Sequence, residues 1–304
     1  MAHQISPLEG DLADLLVKTS KLETGGFIKV NDFVLPACYA KFIDAIENFE
    51  VRDDDIWVCS FPKTGTTWTQ EMVWCIANDS DFEQAKVFLN TRFPFLDINF
   101  IRNLPSPRFI KTHLPFNLLP RQLRTGEKKP KIVYVVRNAK DTCISYFHHA
   151  NLMQGFDGTF EDNFLINNYP ECAVHQSFIF VDLPWILTKT ATFLGKNLTT
   201  DQVSALTEHL SFSSMKLNPA VNNEDVVAQI QQVSNIKSDG KFMRSGNSDQ
   251  WKTDMSPECI EQFDNWTRES LKENNYINHS VTLDKNNNNI HFYFHIPTYK
   301  ATLD

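Results

Sequence analysis

"IWVCSFPKTGTTWTQEMVWCIAN", residues 56–78, is the stretch whose reading decides the fold. Residues 56–61 form a short apolar run rich in β-formers, which predicts a buried strand. From Thr66 the spacing becomes helical, with Trp68, Met72, Val73 and Ile76 on one face. The turn between them, "FPKTGTTW" (61–68), holds a lysine, a glycine and three threonines. A strand–loop–helix unit offers backbone N–H groups at the helix N-terminus, where the dipole also favours negative charge. Lys63 adds a full positive charge, and Thr64, Thr66 and Thr67 add hydroxyl donors. Gly65 lets the backbone approach an anion closely. This composition suits an anion site; the alternative is an ordinary strand–helix turn. The nucleotide-kinase loop G-x-x-x-x-G-K-[ST] is not present here, because lysine precedes glycine and no upstream glycine exists. That order weighs against an ATPase or kinase.

Outward from this unit, "RFIKTHLP" (108–115) and "KIVYVV" (131–136) predict two more core strands. "NAKDTCISYFHHANLM" (138–153) has helical spacing through Ile144, Phe147 and Ala150. Further helices are predicted at 182–195, with Gly195 as C-cap, and at 199–215, with Thr200 as N-cap. Another is expected at 255–273, with Ser256 as N-cap and Pro257 at the first helical position. Strands alternating with helices predict an α/β fold, a single domain with a central parallel sheet flanked by helices. The tail differs. "HSVTL" (279–283) and "IHFYFHI" (290–296) flank "DKNNNN" and predict a hairpin, which alone would be marginal.

Composition narrows the class. The chain has 304 residues, 42% hydrophobic and 22% charged, as in an ordinary globular protein. A net charge of −8 argues against a general nucleic-acid binder. No apolar run approaches the ~20 residues of a membrane span, and the N-terminus lacks the pattern of a signal peptide. The six cysteines are scattered without a CxxC pair, which favours buried thiols over disulfides or zinc ligands. The expected compartment is the cytoplasm.

Three further clusters carry chemistry. Lys111, Thr112 and His113 end a predicted strand, where functional side chains of open α/β sheets gather. His113 is a candidate base; read alone, a hydrogen-bonded structural histidine is the competing assignment. Arg137 ends the next strand, and Ser145 lies about two helical turns beyond it, a pair able to clasp a phosphate. "FMRSGNSDQWK" (242–252) sets Arg244 beside Gly246 in a polar loop.

In this order and spacing the four clusters resemble the cytosolic sulfotransferase family, as an insect-like member lacking an internal segment. "KVNDFVLP" (29–36) and "LNTRFPFLDI" (89–98) are similar to family segments as well. The family transfers a sulfuryl group from 3′-phosphoadenosine 5′-phosphosulfate (PAPS) to a hydroxyl or amine. The resemblance implies that "FPKTGTTW" is a P-loop-like 5′-phosphosulfate loop, with Lys63, Thr64, Gly65, Thr66 and Thr67 around the anion. It implies His113 as general base, Lys63 and Lys111 as stabilisers of the transition state, and Ser145 engaging both Lys63 and the 3′-phosphate. Arg137, Ser145, Arg244, Ser245 and Gly246 match the 3′-phosphate site, and Trp68 and Phe212 match the pair that sandwiches adenine. Phe95 and His149 are assigned to the acceptor pocket. PAPS is then the co-substrate and PAP the product, with no metal. The implied partner is a small hydroxylated acceptor, not a nucleic acid or a membrane, and the implied state is a monomer or weak homodimer.

The resemblance divides the chain into an N-terminal extension (1–25), a sulfotransferase domain (26–275) and an atypical tail (276–304). The pattern is broken in places. Ser245 stands where the family has lysine, and "SDQWK" replaces Gly-Asp-Trp-Lys. The dimer motif is degraded at Lys252, Ser256–Pro257 and Glu261. Near 170–182 about a helix and a strand of the family are missing; "QSFIFV" (176–181) reads as a strand, but the chain from "NNYP" to it is too short for the usual parallel crossover, and the tail hairpin is the alternative that could fill the gap. The two readings carried forward are an active sulfotransferase of small-molecule or xenobiotic metabolism, and a truncated, catalytically poor relative that only binds PAP(S) or folds incompletely.

Overall fold

The computed structural model describes residues 3–19, 25–96, 98–162, 182–246, 249–273 and 291–295. Short helices at Ile43–Glu47, Ile98–Ile101 and Arg121–Arg124 aside, its first elements in chain order are β1 (Ile5–Pro7), α1 (Asp11–Thr19), β2 (Phe27–Val30), β3 (Phe33–Pro36) and β4 (Ile56–Ser60). Next come α2 (Thr66–Ala77), α3 (Leu89–Arg92), β5 (Phe109–Thr112), β6 (Lys131–Val136) and α4 (Ala139–Met153). The last are α5 (Leu183–Leu194), α6 (Thr200–His209), α7 (Phe212–Leu217), α8 (Glu224–Ser234), α9 (Trp251–Asp254), α10 (Pro257–Glu273) and β7 (His291–His295). They fall into two compact units.

One unit comprises the described parts of Ile43–Val136, Phe180–Asn222 and Ile290–Asp304. Its sheet runs β5-β4-β6-β7. β4 pairs in parallel with both β5 and β6, and β7 pairs antiparallel with β6, Tyr134 opposite Tyr293. The three parallel strands are the three that their apolar runs predict. Every residue of β4 is buried, as a central strand covered on both faces requires. α2 packs on β4, α5 on α2, and α6 on α5. The fold is thus α/β, with a central parallel sheet flanked by helices. Arg108 and Asp55, both fully buried, tie the starts of β5 and β4 through two hydrogen bonds of 2.7 Å.

The other unit comprises the described parts of Met1–Phe42, Arg137–Ile179 and Asn223–Asn289. β1, β2 and β3 form a small antiparallel sheet, so the segment expected as an N-terminal extension contributes a strand. The core of this unit joins Ala139, Cys143 and Ile144 of α4 to Met255, Cys259 and Phe263. Asn138 caps α4 by accepting from the Lys140 and Asp141 N–H groups, and Ser256 accepts from Cys259 N at the start of α10.

Two local expectations need correction. The N-cap of α6 is Thr199, not Thr200: its hydroxyl accepts from Gln202 N while the Gln202 side chain returns to Thr199 N, a capping box. The helix expected over 199–215 is two helices, because Leu210 leaves the helical path and Ser211 caps α7. Gly195, at φ 77°, ends α5 as expected. Five cysteines among the described residues are free thiols, four of them buried. The "HSVTL" strand, the asparagine turn, "QSFIFV" and Cys172 lie outside the described residues. Among the described residues no helix is long and apolar enough to cross a membrane.

Candidate active site

β4 ends at Ser60, and the chain turns through the 61–65 loop into α2. The turn is tight because Lys63 and Gly65 both take left-handed backbone conformations, φ 68° and 106°. Such a turn forms a concave set of backbone dipoles suited to an anion. α2 starts without a side-chain cap, and the start of a helix is where an anion is favoured. Two of the three threonine hydroxyls hold the loop itself. Thr64 donates to the Phe61 carbonyl (2.8 Å), and the Thr66 and Ser60 hydroxyls bond to each other (2.7 Å). Thr67 is half-buried.

β5 lies beside β4 and ends at Thr112, which sets His113 next to Ser60. His113 Nδ1 donates to the Ser60 carbonyl at 2.8 Å. That bond fixes the tautomer: the hydrogen sits on Nδ1, and Nε2 keeps its lone pair for accepting a proton. Burial, then the charge of Lys111 and that of Lys63, push the His113 pKa down to about 3, against the opposing pull of Ser60. Burial also brings Lys111 down to about 8. A single parallel bridge joins Phe95 to Lys111. It holds the Phe95 ring 5.5 Å from that of His113 and 5.7 Å from Lys111 Nζ. An imidazole, an ammonium group and an aromatic ring therefore meet at the carboxyl end of β5. Trp68, in the first turn of α2, donates its indole N–H to the Leu210 carbonyl (2.9 Å), two residues before Phe212, which is 39% exposed.

The second cluster belongs to the other unit. Arg137 precedes the capped start of α4, and Ser145 is half-buried in that helix. Burial lowers the Arg137 pKa; Asp141 opposes this and Arg244 adds to it. The like charges share a region where an anion would relieve their repulsion. Asp141, whose own pKa burial raises, accepts from Asp249 N at 3.0 Å and so holds the 249–252 turn. Gln250 does something the sequence did not announce. Its side-chain carbonyl accepts from Arg244 Nη2 and, at 3.2 Å, from the Ser245 hydroxyl. Gly246 is exposed at φ 68°. His149 is half-buried among aromatic rings, 6.2 Å from Tyr146 and 6.0 Å from Phe242. Neighbouring His148 is exposed, and burial and Arg244 lower its pKa.

Ser60, Asp141 and Gln250 were not singled out from sequence. Ser60 has a legible signal, being the last residue of a buried strand that enters an anion loop. The roles of Asp141 and Gln250 depend on distant partners.

Comparison with known proteins identifies the family. The family described as "Sulfotransferase domain" matches residues 53–186 and 179–275, two stretches that overlap at 179–186. The luciferin sulfotransferase of Photinus pyralis is 37% identical over 297 residues, covering 80% of this chain and 78% of that protein. The amine sulfotransferase of Oryctolagus cuniculus is 30% identical over 262 residues, covering 77% of this chain and 86% of its own length. The crystal structure of retinol dehydratase in complex with androsterone and the inactive cofactor PAP superposes with a TM-score of 0.78 at 25% identity, over 90% of this chain and 97% of that one. The chain belongs to the cytosolic sulfotransferase family, a family of transferase enzymes.

Proposed function

We propose that this chain transfers a sulfuryl group from PAPS to the hydroxyl, or amine, of a small apolar acceptor. The observation that carries the reading is the tautomer of His113, with Nδ1 held on the Ser60 carbonyl and Nε2 free to accept, beside Lys111. The acceptor oxygen attacks sulfur in line as its proton passes to His113 Nε2. The bond from sulfur to the bridging oxygen of the 5′-phosphate breaks, and PAP leaves with the electron pair. Lys63 and Lys111 stabilise the charge that builds on that oxygen, in a site from which water is largely excluded. Arg137, Ser145, Arg244, Ser245 and Gly246 receive the 3′-phosphate, and Trp68 and Phe212 hold adenine. The step is positional and electrostatic, and needs no metal. Phe95 and His149 line the acceptor side. Androsterone in the retinol dehydratase complex supports an apolar alcohol as the acceptor class. A monomer or weak homodimer in the cytoplasm, without nucleic acid or membrane as partner, completes the proposal.

A second reading, a poor catalyst that binds PAP(S) without efficient transfer, is favoured by one observation: Gln250 sits on Arg244 and Ser245. One pair of variants separates the readings. His113→Ala should abolish transfer of labelled sulfate to a panel of alcohols and phenols while leaving PAP affinity nearly intact. Arg244→Ala should mainly weaken PAP binding, by about tenfold or more. Loss of PAP binding in the first, or unchanged binding in the second, sinks the assignments. A wild-type chain that binds PAP but transfers nothing establishes the second reading.

A further inference from the structure

Among the described residues one group of potential metal ligands converges: donor atoms of Glu71, Cys75 and His209 lie within 4.8 Å of one another. The chemistry there does not suit a cation. Arg92 already places its guanidinium on Glu71 Oε2. Burial, with the negative charge of Glu71, drives the Cys75 thiol upward and keeps it protonated. Burial works to raise the Glu71 pKa, but the bonds and charges of His209 and Arg92 outweigh it, so the carboxylate stays ionised. What the cluster does is bind one chain segment to another.

Glu71 stands on α2 one turn after Trp68, and residues three apart share a helix face. The two side chains grip consecutive residues of a second segment. Glu71 Oε1 accepts from His209 Nε2 at 2.7 Å, and the Trp68 indole donates to the Leu210 carbonyl at 2.9 Å. The His209 ring also packs on Phe82, centroids 4.7 Å apart. His209 is the last residue of α6, and the chain bends at Leu210 and Ser211 before α7 opens with Phe212. A break between helices is a place where a side chain drifts unless it is fixed. Here it is fixed twice, within three residues of Phe212.

We propose that His209 is a positioning residue for nucleotide recognition: with Trp68 it pins the α6–α7 bend to α2 and so sets Phe212 at the base-binding distance from the Trp68 ring. The inference rests on the assignment of Trp68 and Phe212 to the adenine of PAPS. The ligand chemistry it governs is a purine ring, not the phosphates.

The test is titration calorimetry of the full chain with two ligands, PAP and ribose 3,5-bisphosphate, which carries the same two phosphates without the base. His209→Ala should weaken PAP about tenfold while the baseless ligand moves less than twofold. In steady state the KM for PAPS should rise while the KM for the acceptor stays. His209→Gln, whose amide can still donate to Glu71, should recover PAP affinity to within threefold of wild type. Trp68→Phe keeps the ring but removes the second anchor, and should repeat the base-selective loss should His209→Ala fail to fold. Equal weakening of both ligands, or PAP affinity unchanged in His209→Ala and Trp68→Phe, overturns the proposal. If the wild-type chain binds the two ligands equally, the adenine assignment falls first and this inference with it. If wild type discriminates and His209→Ala discriminates just as strongly, only the inference falls.

Discussion

Burial and two neighbouring lysines hold His113 near a pKa of about 3, and burial alone brings Lys111 to about 8. Under the proposed mechanism the two values bound the working range of the free enzyme from opposite sides. His113 would act as base only when neutral, and it is neutral at every pH well above 3. Lys111 would act only when protonated, and it loses its proton as pH rises through about 8. For an aliphatic alcohol acceptor, kcat/KM should therefore be flat from pH 5 to 7 and fall above about pH 8. A loss of rate below pH 6 would contradict the His113 environment. At the same scale Gln250 is a neutral acceptor on donors that a phosphate would bind more strongly. Gln250→Ala should tighten PAP about three- to tenfold in calorimetry and leave adenosine 5′-monophosphate unmoved. Weaker PAP binding would mean that Gln250 orients Arg244 rather than competing for it.

At the level of elements, β5, the strand that leads to His113, is tied down at its far end. Arg108 enters β5 and makes two 2.7 Å bonds to Asp55 before β4, a third to the Glu50 carbonyl (2.8 Å), and stacks 5.1 Å from Phe49. Both charges are fully buried, so removing one leaves the other without compensation. Asp55→Ala should lower unfolding free energy by about 3–5 kcal/mol, read as an earlier denaturant midpoint at unchanged slope. A change under about 1 kcal/mol would show that water reaches Arg108 in the variant. Much at this scale is legible in sequence: the period switch at Thr66, Gly195 and Pro257 each mark a boundary the structure keeps. The break of 199–215 into two helices was not legible, since Leu210 fits the apolar spacing, and its carbonyl is held by Trp68, a residue distant in the chain.

For the whole molecule, the sheet edge beside β6 is covered by β7, a strand from the tail, in antiparallel register from Ile132–His295 to Val136–His291. An uncovered edge presents a row of unpaired backbone groups. Deleting 274–304 should lower the thermal midpoint of the PAP-free protein and increase its concentration-dependent association in light scattering. An unchanged midpoint would mean that β7 adds nothing to the sheet. PAP binding only the native state should raise the midpoint of the intact chain, with about 2.7 kcal/mol of stabilisation at a hundredfold excess over Kd.

The sequence by itself determined the α/β class, the three parallel strands and the placing of Lys63, Lys111 and His113 at or just beyond strand ends, because these depend on local period and on which side chains follow a buried run. The tertiary structure alone decided which nitrogen of His113 is free, how far its pKa falls, that Gln250 lies on Arg244 and Ser245, and that His209 holds Glu71. Each of those is a contact or a burial between residues distant in the chain, with a sign set by the dielectric and charge around it, and no local pattern encodes that.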